Sequence, residues 1–403
     1  MRRWLGPLGL VAPILFLLIF LFPPACSGER LPLPRLAQAQ ERQLRAWLTK
    51  HGKSPEEYVV SKFADHDVVF LGEYHRIRHD PLLVQGLIPV LHANGVLNLG
   101  LEFALARDQS LIDSLLSAPA YDEQLANRVF WNQWPWWGYQ EYVDILRAAW
   151  RLNRSLPPDA PPFRVLGLNA AGDWSRVWSQ EDLRNPEIAK TIRPEGSSDS
   201  VMAATILREI VGKHEKGLVY SGIFHAFTCF HQPYPGGPGQ PVQFNSTRMG
   251  NRVHAAIGNR CCTIFLHAPW IGAGGYDDLD VYPAGGVIDA LFAGMPPAQR
   301  RVGFDIAGSP FGKLSGSTSY WGRSIPGFRV EDYCDGWIYQ MPLSQYEGVH
   351  VVDGWFNEQN RLAAIAQIAN PDPRVKSRDR TVQDLTAALA EDTDFQRRFA
   401  RLR

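Results

Sequence analysis

The segment from Val68 to His75 reads Val-Val-Phe-Leu-Gly-Glu-Tyr-His. Its first four residues are apolar without interruption, which is typical of a strand that is buried on both faces of a sheet. A glycine follows, and Glu73 and His75 come directly after it. The segment therefore predicts a buried strand that carries two chemically active side chains to its carboxyl end.

Apolar strand candidates of this kind alternate with helical segments along most of the chain. Predicted strands lie at residues 67–71, 96–103, 163–168, 217–221 and 261–266, with later candidates at 301–306 and 337–341. Predicted helices lie at residues 81–92, 108–116, 139–152, 201–214 and 249–257, and two more are expected after residue 358. Such alternation indicates β-α-β units, so we expect an α/β fold with a mostly parallel central sheet and helices on both faces.

The composition limits the class of protein. The 403 residues include 41 Lys and Arg and 41 Asp and Glu, whereas a nucleic-acid-binding protein usually carries a basic excess. Hydrophobic residues make up 45% of the chain and include 13 Trp, enough to bury a large core, which argues against disorder. We expect a globular protein whose partner is a small molecule or a peptide.

The N-terminus is typical of an export signal. Arg2 and Arg3 precede an apolar run at residues 8–22, and small residues follow at 25–28. The run is shorter than the ~20 residues that a transmembrane helix usually needs, although an uncleaved membrane tether stays open. Cys26 stands where a lipoprotein carries its acylated cysteine.

These features predict how the chain is divided. We assign residues 1–28 to a signal peptide or lipoprotein signal, and residues 29–60 to a lead-in segment with a helix. Residues 61–403 are predicted to form one α/β domain, whose C-terminal helices span 357–403. The domain is expected outside the cytoplasm, in the periplasm, on the cell envelope or secreted.

Four further cysteines would then lie in an oxidising compartment, where disulfides persist. They are Cys229, Cys261, Cys262 and Cys334. The sequence leaves two alternatives open, which are four apolar thiols and one disulfide. The sequence has no Cys-x-x-Cys spacing, so a structural zinc site is not expected.

Two other kinds of segment are informative. Residues 232–241 and 308–327 lack helix or strand patterns, and long irregular loops are often binding loops, although surface decoration is the alternative. Residues 130–139 hold four Trp within seven positions, and these side chains are expected either to line a pocket or to pack in the core between helices.

Polar residues collect where the predicted strands end. Glu73 and His75 follow the first strand, and Glu102 lies in the second. Asn169 ends the third strand, and His225 follows the fourth. Because ligands bind outside the carboxyl ends of parallel strands, we expect these five side chains at one edge of the sheet.

Two histidines and a carboxylate from separate strands form a set that is able to hold one divalent metal. His75, Glu102 and His225 would leave a coordination position open for water, as in hydrolytic zinc sites. Glu73 would then be a fourth ligand, a general base or a partner that orients an imidazole. Without a metal, the same groups are able to act directly as acid and base.

Other catalytic motifs are absent from the sequence. It contains no His-Glu-x-x-His, no Gly-x-Ser-x-Gly nucleophile elbow and no phosphate-binding P-loop. The strand-end groups are therefore the best candidates for chemistry.

The motifs at these positions show a resemblance to a known superfamily. Gly72–His75, Glu102 and Gly222–His225 resemble the pattern of two Gly-x-x-His segments with an intervening Glu. That pattern is found in the superfamily that joins erythromycin esterases, ChaN-type haem-binding lipoproteins and TIKI/TraB proteins. The resemblance covers residues 68–266, and residues 335–342 look more weakly like the closing strand.

The resemblance implies different activities in different branches. In the TIKI branch the two His and the Glu bind a divalent metal and hydrolyse peptide bonds, and in the esterase branch equivalent residues hydrolyse a macrolide ester without metal. In the ChaN branch the fold binds haem, and no hydrolysis is established. The single residue between Glu73 and His75, and the export signal, look more like ChaN and TIKI than like the esterases.

We therefore predict an exported hydrolase of an amide or ester bond. His75, Glu102 and His225 are predicted to hold Zn, Mn, Fe or Co, and Glu73 to activate or orient the attacking water. The alternative is a ChaN-type haem- or iron-binding protein without turnover, with His75 or His225 as axial ligand. A third possibility is a scaffold that only binds a partner in the same crevice.

Overall fold

The structure, a computed structural model, describes residues 30–234, 242–272, 280–317, 319–322 and 325–402. The predicted export signal at residues 1–28, with Cys26, lies outside these ranges, so export and lipidation stay predictions. Within the described ranges, no helix is both long and apolar enough to cross a membrane.

The described strands include the seven that the sequence predicts and two short ones, Gln232–Tyr234 and Gln243–Asn245, that it does not. They are β1 (Val68–Glu73), β2 (Asn98–Leu105), β3 (Arg164–Asn169), β4 (Gly217–Gly222), β5 (Gln232–Tyr234), β6 (Gln243–Asn245), β7 (Cys261–Leu266), β8 (Val302–Asp305) and β9 (Gly336–Tyr339). Seven of them form one sheet in the order β3-β2-β4-β1-β7-β9-β8. Neighbouring strands are parallel except β8, which runs antiparallel to β9 at an edge. The predicted α/β class with a mostly parallel sheet is confirmed.

The described helices are α1 (Gln38–His51), α2 (Pro55–Lys62), α3 (His79–Ala93), α4 (Gln109–Ser117), α5 (Glu123–Gln133), α6 (Gln140–Ser155), α7 (Gln180–Arg184), α8 (Pro186–Ile192), α9 (Ser198–Glu209), α10 (Met249–Ile257), α11 (Val287–Ala293), α12 (Arg361–Ala366), α13 (Val382–Glu391) and α14 (Phe395–Arg398). Local signals set several of their ends. Ser54 and Glu57 form a reciprocal capping box before α2, and Gly95, at φ 75°, follows the end of α3.

Helices cover both faces of the sheet. Along β1, Val69 and Leu71 pack into one hydrophobic core with α3, α5 and α6. Val68 and Phe70 point to the other face and pack into a second core with α1, α9, α10 and α11. A strand between two helical layers has to be apolar on both sides, which explains the uninterrupted apolar run in the sequence.

The structure differs from the sequence expectation at several elements. The tail after residue 358 contains α12, α13 and α14 rather than two helices. Residues 232–241, expected to lack strands, supply β5, which pairs with β6 in a separate ribbon, and residues 235–241 lie outside the described part. Helices α5, α7, α8 and α11 were not predicted. Three of these four have seven residues or fewer, too short for a clear period.

The four cysteines are free thiols in the structure. Cys261, Cys262 and Cys334 are buried, whereas Cys229 is exposed. The structure therefore favours the alternative without a disulfide, with one thiol outside the core.

Gly167 provides a test of the sheet geometry. A Cβ atom there would lie 2.3 Å from the backbone oxygen of Leu105, where the register between β2 and β3 shifts. We expect Gly167→Ala to lower the free energy of unfolding by about 1–3 kcal/mol, because backbone rather than a flexible side chain has to move. Denaturant unfolding followed by circular dichroism measures the change.

Gly86 offers the matched control, since it lies exposed in α3 and a Cβ atom added there would have no atom within 4 Å. Gly86→Ala should stabilise by about 0.5–1 kcal/mol through helix propensity. Equal stability of the two variants would contradict the close approach of β3 to β2.

Candidate functional site

The predicted site residues meet at the carboxyl edge of the central strands. Strand β4 lies between β1 and β2, and Glu73 at the end of β1 is in register with Gly222 at the end of β4. Glu102 lies in β2 just after the last residue in regular register with β4, Leu101. This order explains why residues from distant parts of the chain converge.

Glu73 and His75 form a buried carboxylate–imidazole pair. His75 Nδ1 lies 2.7 Å from Glu73 Oε1, and the Glu73 side chain has no exposed surface. Tyr142 donates its hydroxyl hydrogen to the same carboxylate, with its oxygen 2.7 and 2.8 Å from Oε1 and Oε2, and Tyr220 also donates to Oε2. Because an ionised carboxylate only accepts hydrogen bonds, this arrangement puts the imidazole hydrogen on Nδ1 and leaves the lone pair on Nε2.

An aromatic wall holds the His75 ring from the side. The ring of Trp137 meets it edge-on at 4.9 Å between centroids, and Phe103 does so at 5.7 Å. Trp137 and Phe103 are themselves stacked at 4.9 Å. About a third of the His75 side chain stays exposed, at 32%, so part of its surface is open to a ligand.

The backbone turns sharply after His75. Arg76 has φ 73°, a left-handed conformation that is uncommon for residues other than glycine. Its amide donates to the Tyr142 hydroxyl at 2.9 Å, and its guanidinium donates to the Tyr139 hydroxyl at 2.8 Å and lies 3.4 Å from the Asp392 carboxylate. These contacts hold a strained conformation next to the candidate catalytic histidine.

His225 lies between two carboxylates. Its Nε2 is 3.2 Å from Glu102 Oε1, and its Nδ1 is 2.6 Å from Asp199 Oδ1. Glu102 Oε2 also accepts the Gly222 amide at 2.7 Å, and Asp199 accepts the Met249 amide at 2.8 Å. Both ring nitrogens of His225 are therefore occupied by hydrogen-bond acceptors.

His225, Glu102 and Asp199 form a triad in which each group influences the charge of the others. Burial alone would lower the pKa of His225, but the carboxylates of Glu102 and Asp199 outweigh burial and raise it to about 10. Burial alone would raise the pKa of each carboxyl group, but the nearby imidazolium outweighs it, and the pKa values of Glu102 and Asp199 are lowered to about 2. At neutral pH the triad is a cation between two anions.

The residues of the predicted metal set, His75, Glu102 and His225, are not arranged as a metal site in the described structure. Both nitrogens of His225 face carboxylates, those of Glu102 and Asp199. Among the described residues, no group of three His, Cys, Asp or Glu side chains is arranged to hold a metal ion. The sequence could not anticipate the contact between Asp199 and His225 Nδ1, because Asp199 belongs to a helix start with no distinguishing pattern.

His75 and Glu102 nevertheless lie close together. A Cβ atom at Gly222 would be 2.6 Å from His75 Nε2 and 3.5 Å from Glu102 Oε2. The missing side chain of Gly222 therefore gives the space in which the two groups approach each other. A larger residue at this position would push the His75 ring away.

Asn169 and the polar residues that begin α3 have structural contacts instead of lining the space beside His75. Asn169 donates from Nδ2 to the Glu102 backbone oxygen at 2.9 Å, so it supports the bulged end of β2. His79 and Asp80 are buried at the start of α3. Burial raises the pKa of Asp80, and the Glu73 carboxylate raises it further.

The Trp-rich segment serves both purposes that the sequence left open. Trp137 borders His75, as described above. Trp134 and Trp136 instead donate their indole hydrogens to the backbone oxygens of Gln367 and Ala364 in the C-terminal part of the chain. One tryptophan lines the site, and its neighbours anchor the tail of the protein.

The C-terminal part of the chain supports the site from a distance. Asp392, which pairs with Arg76, follows α13, and the Leu389 backbone oxygen accepts from Tyr139. Lys376 donates to three backbone oxygens, those of Trp174, Ala366 and Ile368, and so joins the tail to the segment after β3. The strained turn after His75 is thus stabilised by residues from the opposite end of the sequence.

Comparison with known proteins finds a family match for part of the chain. Residues 59–196 match the family described as haem-binding uptake, Tiki superfamily, ChaN. The resemblance to this superfamily, predicted from the motifs, is thereby confirmed over that segment, which contains Glu73, His75 and Glu102. Asp199 and His225 lie beyond it. No curated protein matches the chain.

Solved structures show distant likenesses. A Bacillus cereus protein has 14% identity and a TM-score of 0.43, and the match covers 76% of this chain and 97% of that one. A succinoglycan biosynthesis protein has 10% identity and a TM-score of 0.45, with 78% and 100% covered. ChaN of Campylobacter jejuni, whose structure is titled for cofacial heme binding, has 15% identity and a TM-score of 0.33, with 53% and 86% covered.

The charged triad predicts a pH-dependent stability. His225 has a pKa above its ordinary value of 6.5, so its charge contributes fully below pH 6.5, and this contribution is lost as the pH rises through about 10. The lowered pKa values of Glu102 and Asp199 give a contribution that is lost as the pH falls through about 2. Replacing His225 removes the shared partner of two buried carboxylates.

We expect His225→Asn to lower the free energy of unfolding by about 3 kcal/mol or more at pH 6, and by less at pH 9. Urea unfolding at both pH values measures the two differences. His350→Asn, at an exposed histidine that contacts Glu141, is the control. A loss for His225→Asn that grows between pH 6 and pH 9 would contradict the assigned charges.

Proposed function

We propose that this protein hydrolyses an ester or amide bond by acid–base chemistry at His75. The observation that carries the proposal is the Glu73–His75 pair, in which a fully buried carboxylate engages Nδ1 of a histidine whose side chain stays 32% exposed. A histidine oriented in this way is the usual general base of hydrolytic enzymes that work without a metal.

His75 would activate the attacking water. Its Nε2 takes a proton from water as the oxygen bonds to the substrate carbonyl carbon, which gives a tetrahedral intermediate and an imidazolium. The imidazolium then returns the proton to the leaving oxygen or nitrogen as the bond from carbon to that atom breaks. Base catalysis of this kind typically contributes about 10²–10⁴-fold to the rate.

Glu73 would orient the base rather than touch the substrate. Its side chain is fully buried, and its oxygens accept hydrogen bonds from Tyr142 and Tyr220 in addition to His75. The negative charge next to Nδ1 stabilises the imidazolium that forms during the reaction. The two tyrosines prevent the carboxylate from rotating away.

Glu102 would supply a second fixed negative charge close to His75. With a pKa of about 2, it is a weak base and stays ionised, so it is a poor competitor of His75 for the proton of water. His225 and the Gly222 amide hold its two oxygens in place. Its role in this proposal is electrostatic stabilisation of protonated His75.

Substitution of His75 tests the proposal. We expect His75→Ala to reduce kcat/KM for a simple activated ester, 4-nitrophenyl acetate, by about 10²–10⁴-fold, because the base is lost. Release of 4-nitrophenolate is measured by absorbance with the parent protein, with His75→Ala and with the His350→Ala control. Equal rates for His75→Ala and His350→Ala would remove His75 from the reaction.

Haem binding is a second candidate, and the family match favours it. His75 would hold the haem iron through Nε2, because iron-binding histidines commonly engage a hydrogen-bond acceptor through the other nitrogen, as His75 does with Glu73. Trp137 and Phe103 would lie beside the ligating ring. The haem would supply iron chemistry or be cargo, and the residues named would bind and orient it.

Titration with haemin distinguishes this candidate. If the protein binds haem through His75, a Soret band shifted from that of free haemin should appear at about one equivalent, with loss of the shift in His75→Ala. The same shift in His350→Ala is expected. An unshifted spectrum in the parent protein would dismiss haem ligation by His75.

A further inference from the structure

A cleft of about 520 Å³ lies between the C-terminal part of α1 and the loop that follows β8. Side chains within residues 43–51 line one wall, and residues within 308–313 line the other. The volume falls within the range of about 300–1,000 Å³ that is usual for small-molecule sites. The loop belongs to residues 308–327, the irregular segment for which the sequence left a binding role open. Neither proposed function uses this cleft.

The cleft and the candidate site lie at opposite ends of the central sheet. Strand β8 runs antiparallel to β9, and its last residue, Asp305, is in register with Gly336, the first residue of β9. The loop after β8 therefore begins at the amino ends of the parallel strands. Glu73 and His75 instead lie at the carboxyl end of β1. A ligand in the cleft is thus separate from a substrate at His75.

The lining of the cleft is cationic. It contains Lys50, His51 and Lys313 but no Asp or Glu. Lys50 is exposed in the last turn of α1 and has no ion pair with a residue that the structure describes. Lys313 Nζ lies 3.1 Å from Glu331 Oε1, but its side chain is 61% exposed, and exposed ion pairs are weak enough to exchange partners. Both ammonium groups are therefore able to meet an anion in the cleft.

An aromatic surface accompanies this charge. Trp47 and His51, one helical turn apart, both line the cleft and are stacked with 4.0 Å between their ring centroids. Trp47 is partly buried against the core that contains Leu44 and Leu48, so its ring is held in place. Aromatic rings of a ligand pack favourably against such side chains. The wall formed by α1 therefore suits a ligand with a flat ring.

The loop that forms the opposite wall is fixed by its own hydrogen bonds. The Ser309 hydroxyl donates to the Ile306 backbone oxygen at 2.8 Å. It also accepts the amides of Phe311 and Gly312 at 3.1 and 3.2 Å. Gly308 has φ 71°, a conformation that residues with a side chain rarely adopt. The wall is thus formed without a ligand, and binding would not have to order it.

We propose that this cleft binds a small aromatic anion, with its ring against Trp47 and its anionic group near Lys50 and Lys313. Charge complementarity and the aromatic wall favour this class of ligand. Ammonium groups bind carboxylates and phosphates alike as point charges, so both kinds of anion share the chemistry. The cleft has no lining residue in common with the candidate site, so the proposal does not depend on hydrolysis or haem binding.

Calorimetric titration of the parent protein tests the class of ligand. The anionic probes are 2-naphthoate and 2-naphthyl phosphate, and the matched controls are neutral 2-naphthamide and non-aromatic decahydro-2-naphthoate. We expect the better anionic aromatic probe to bind about threefold or more tightly than either control, and to bind less tightly at high salt, which screens the charges. The better probe identifies the anionic group. Equal binding of all four compounds overturns the class.

Variants of the lining show whether the probe lies in the cleft. We expect Lys50→Gln/Lys313→Gln to weaken binding of 2-naphthoate by about fivefold or more, because both cations are lost. Trp47→Leu should weaken it by about threefold or more, because the aromatic wall is lost. Lys190→Gln, at a lysine of α8 that is 71% exposed, and His75→Ala should both leave binding unchanged.

The structural alternative is that Lys50 and His51 only stabilise the C-terminal end of α1, where cations are favourable. Lys50→Gln/Lys313→Gln would then lower the melting temperature and leave binding unchanged, which overturns the proposal. Weaker binding in His75→Ala would place the probe at the candidate site, and absence of binding to the parent protein at millimolar probe would remove the cleft as a site. Weaker binding in the folded lysine variant, with His75→Ala unaffected, supports the cleft whether or not Trp47→Leu folds.

Discussion

The burial of the Glu73 carboxylate at the end of the central strand is the constraint on which the site depends. A buried charge is stable only when its oxygens are satisfied, and here His75, Tyr142 and Tyr220 supply the donors. These donors come from the loop after β1, from α6 and from β4, so one carboxylate ties together three elements. The open edge of His75 follows from this arrangement, since its other nitrogen is held inside.

The two histidines of the motif differ in the number of carboxylates that contact their rings. One nitrogen of His75, Nδ1, contacts the buried Glu73 carboxylate, and the side chain as a whole stays 32% exposed. His225 has Glu102 and Asp199 on its two nitrogens, which raises its pKa to about 10. The difference comes from Asp199, which gives His225 a second carboxylate partner.

The sequence by itself determined the fold class and the edge at which the chemistry collects. The periods of apolar residues predicted α10 and β7 with the bounds that the structure has, 249–257 and 261–266, because secondary structure at these positions follows from local patterns. The same patterns predicted the convergence of Glu73, His75, Glu102 and His225, since parallel strands end at a common edge.

Only the tertiary structure decided what each of these groups contacts. The Asp199–His225 and Tyr142–Glu73 hydrogen bonds join residues 26 and 69 positions apart, and nothing in the local sequence marks either partner. The same holds for the position of Trp137 against His75 and for the burial of the residues that begin α3. Protonation and metal affinity depend on atoms within a few ångströms, and packing of distant elements, rather than local periodicity, brings those atoms together.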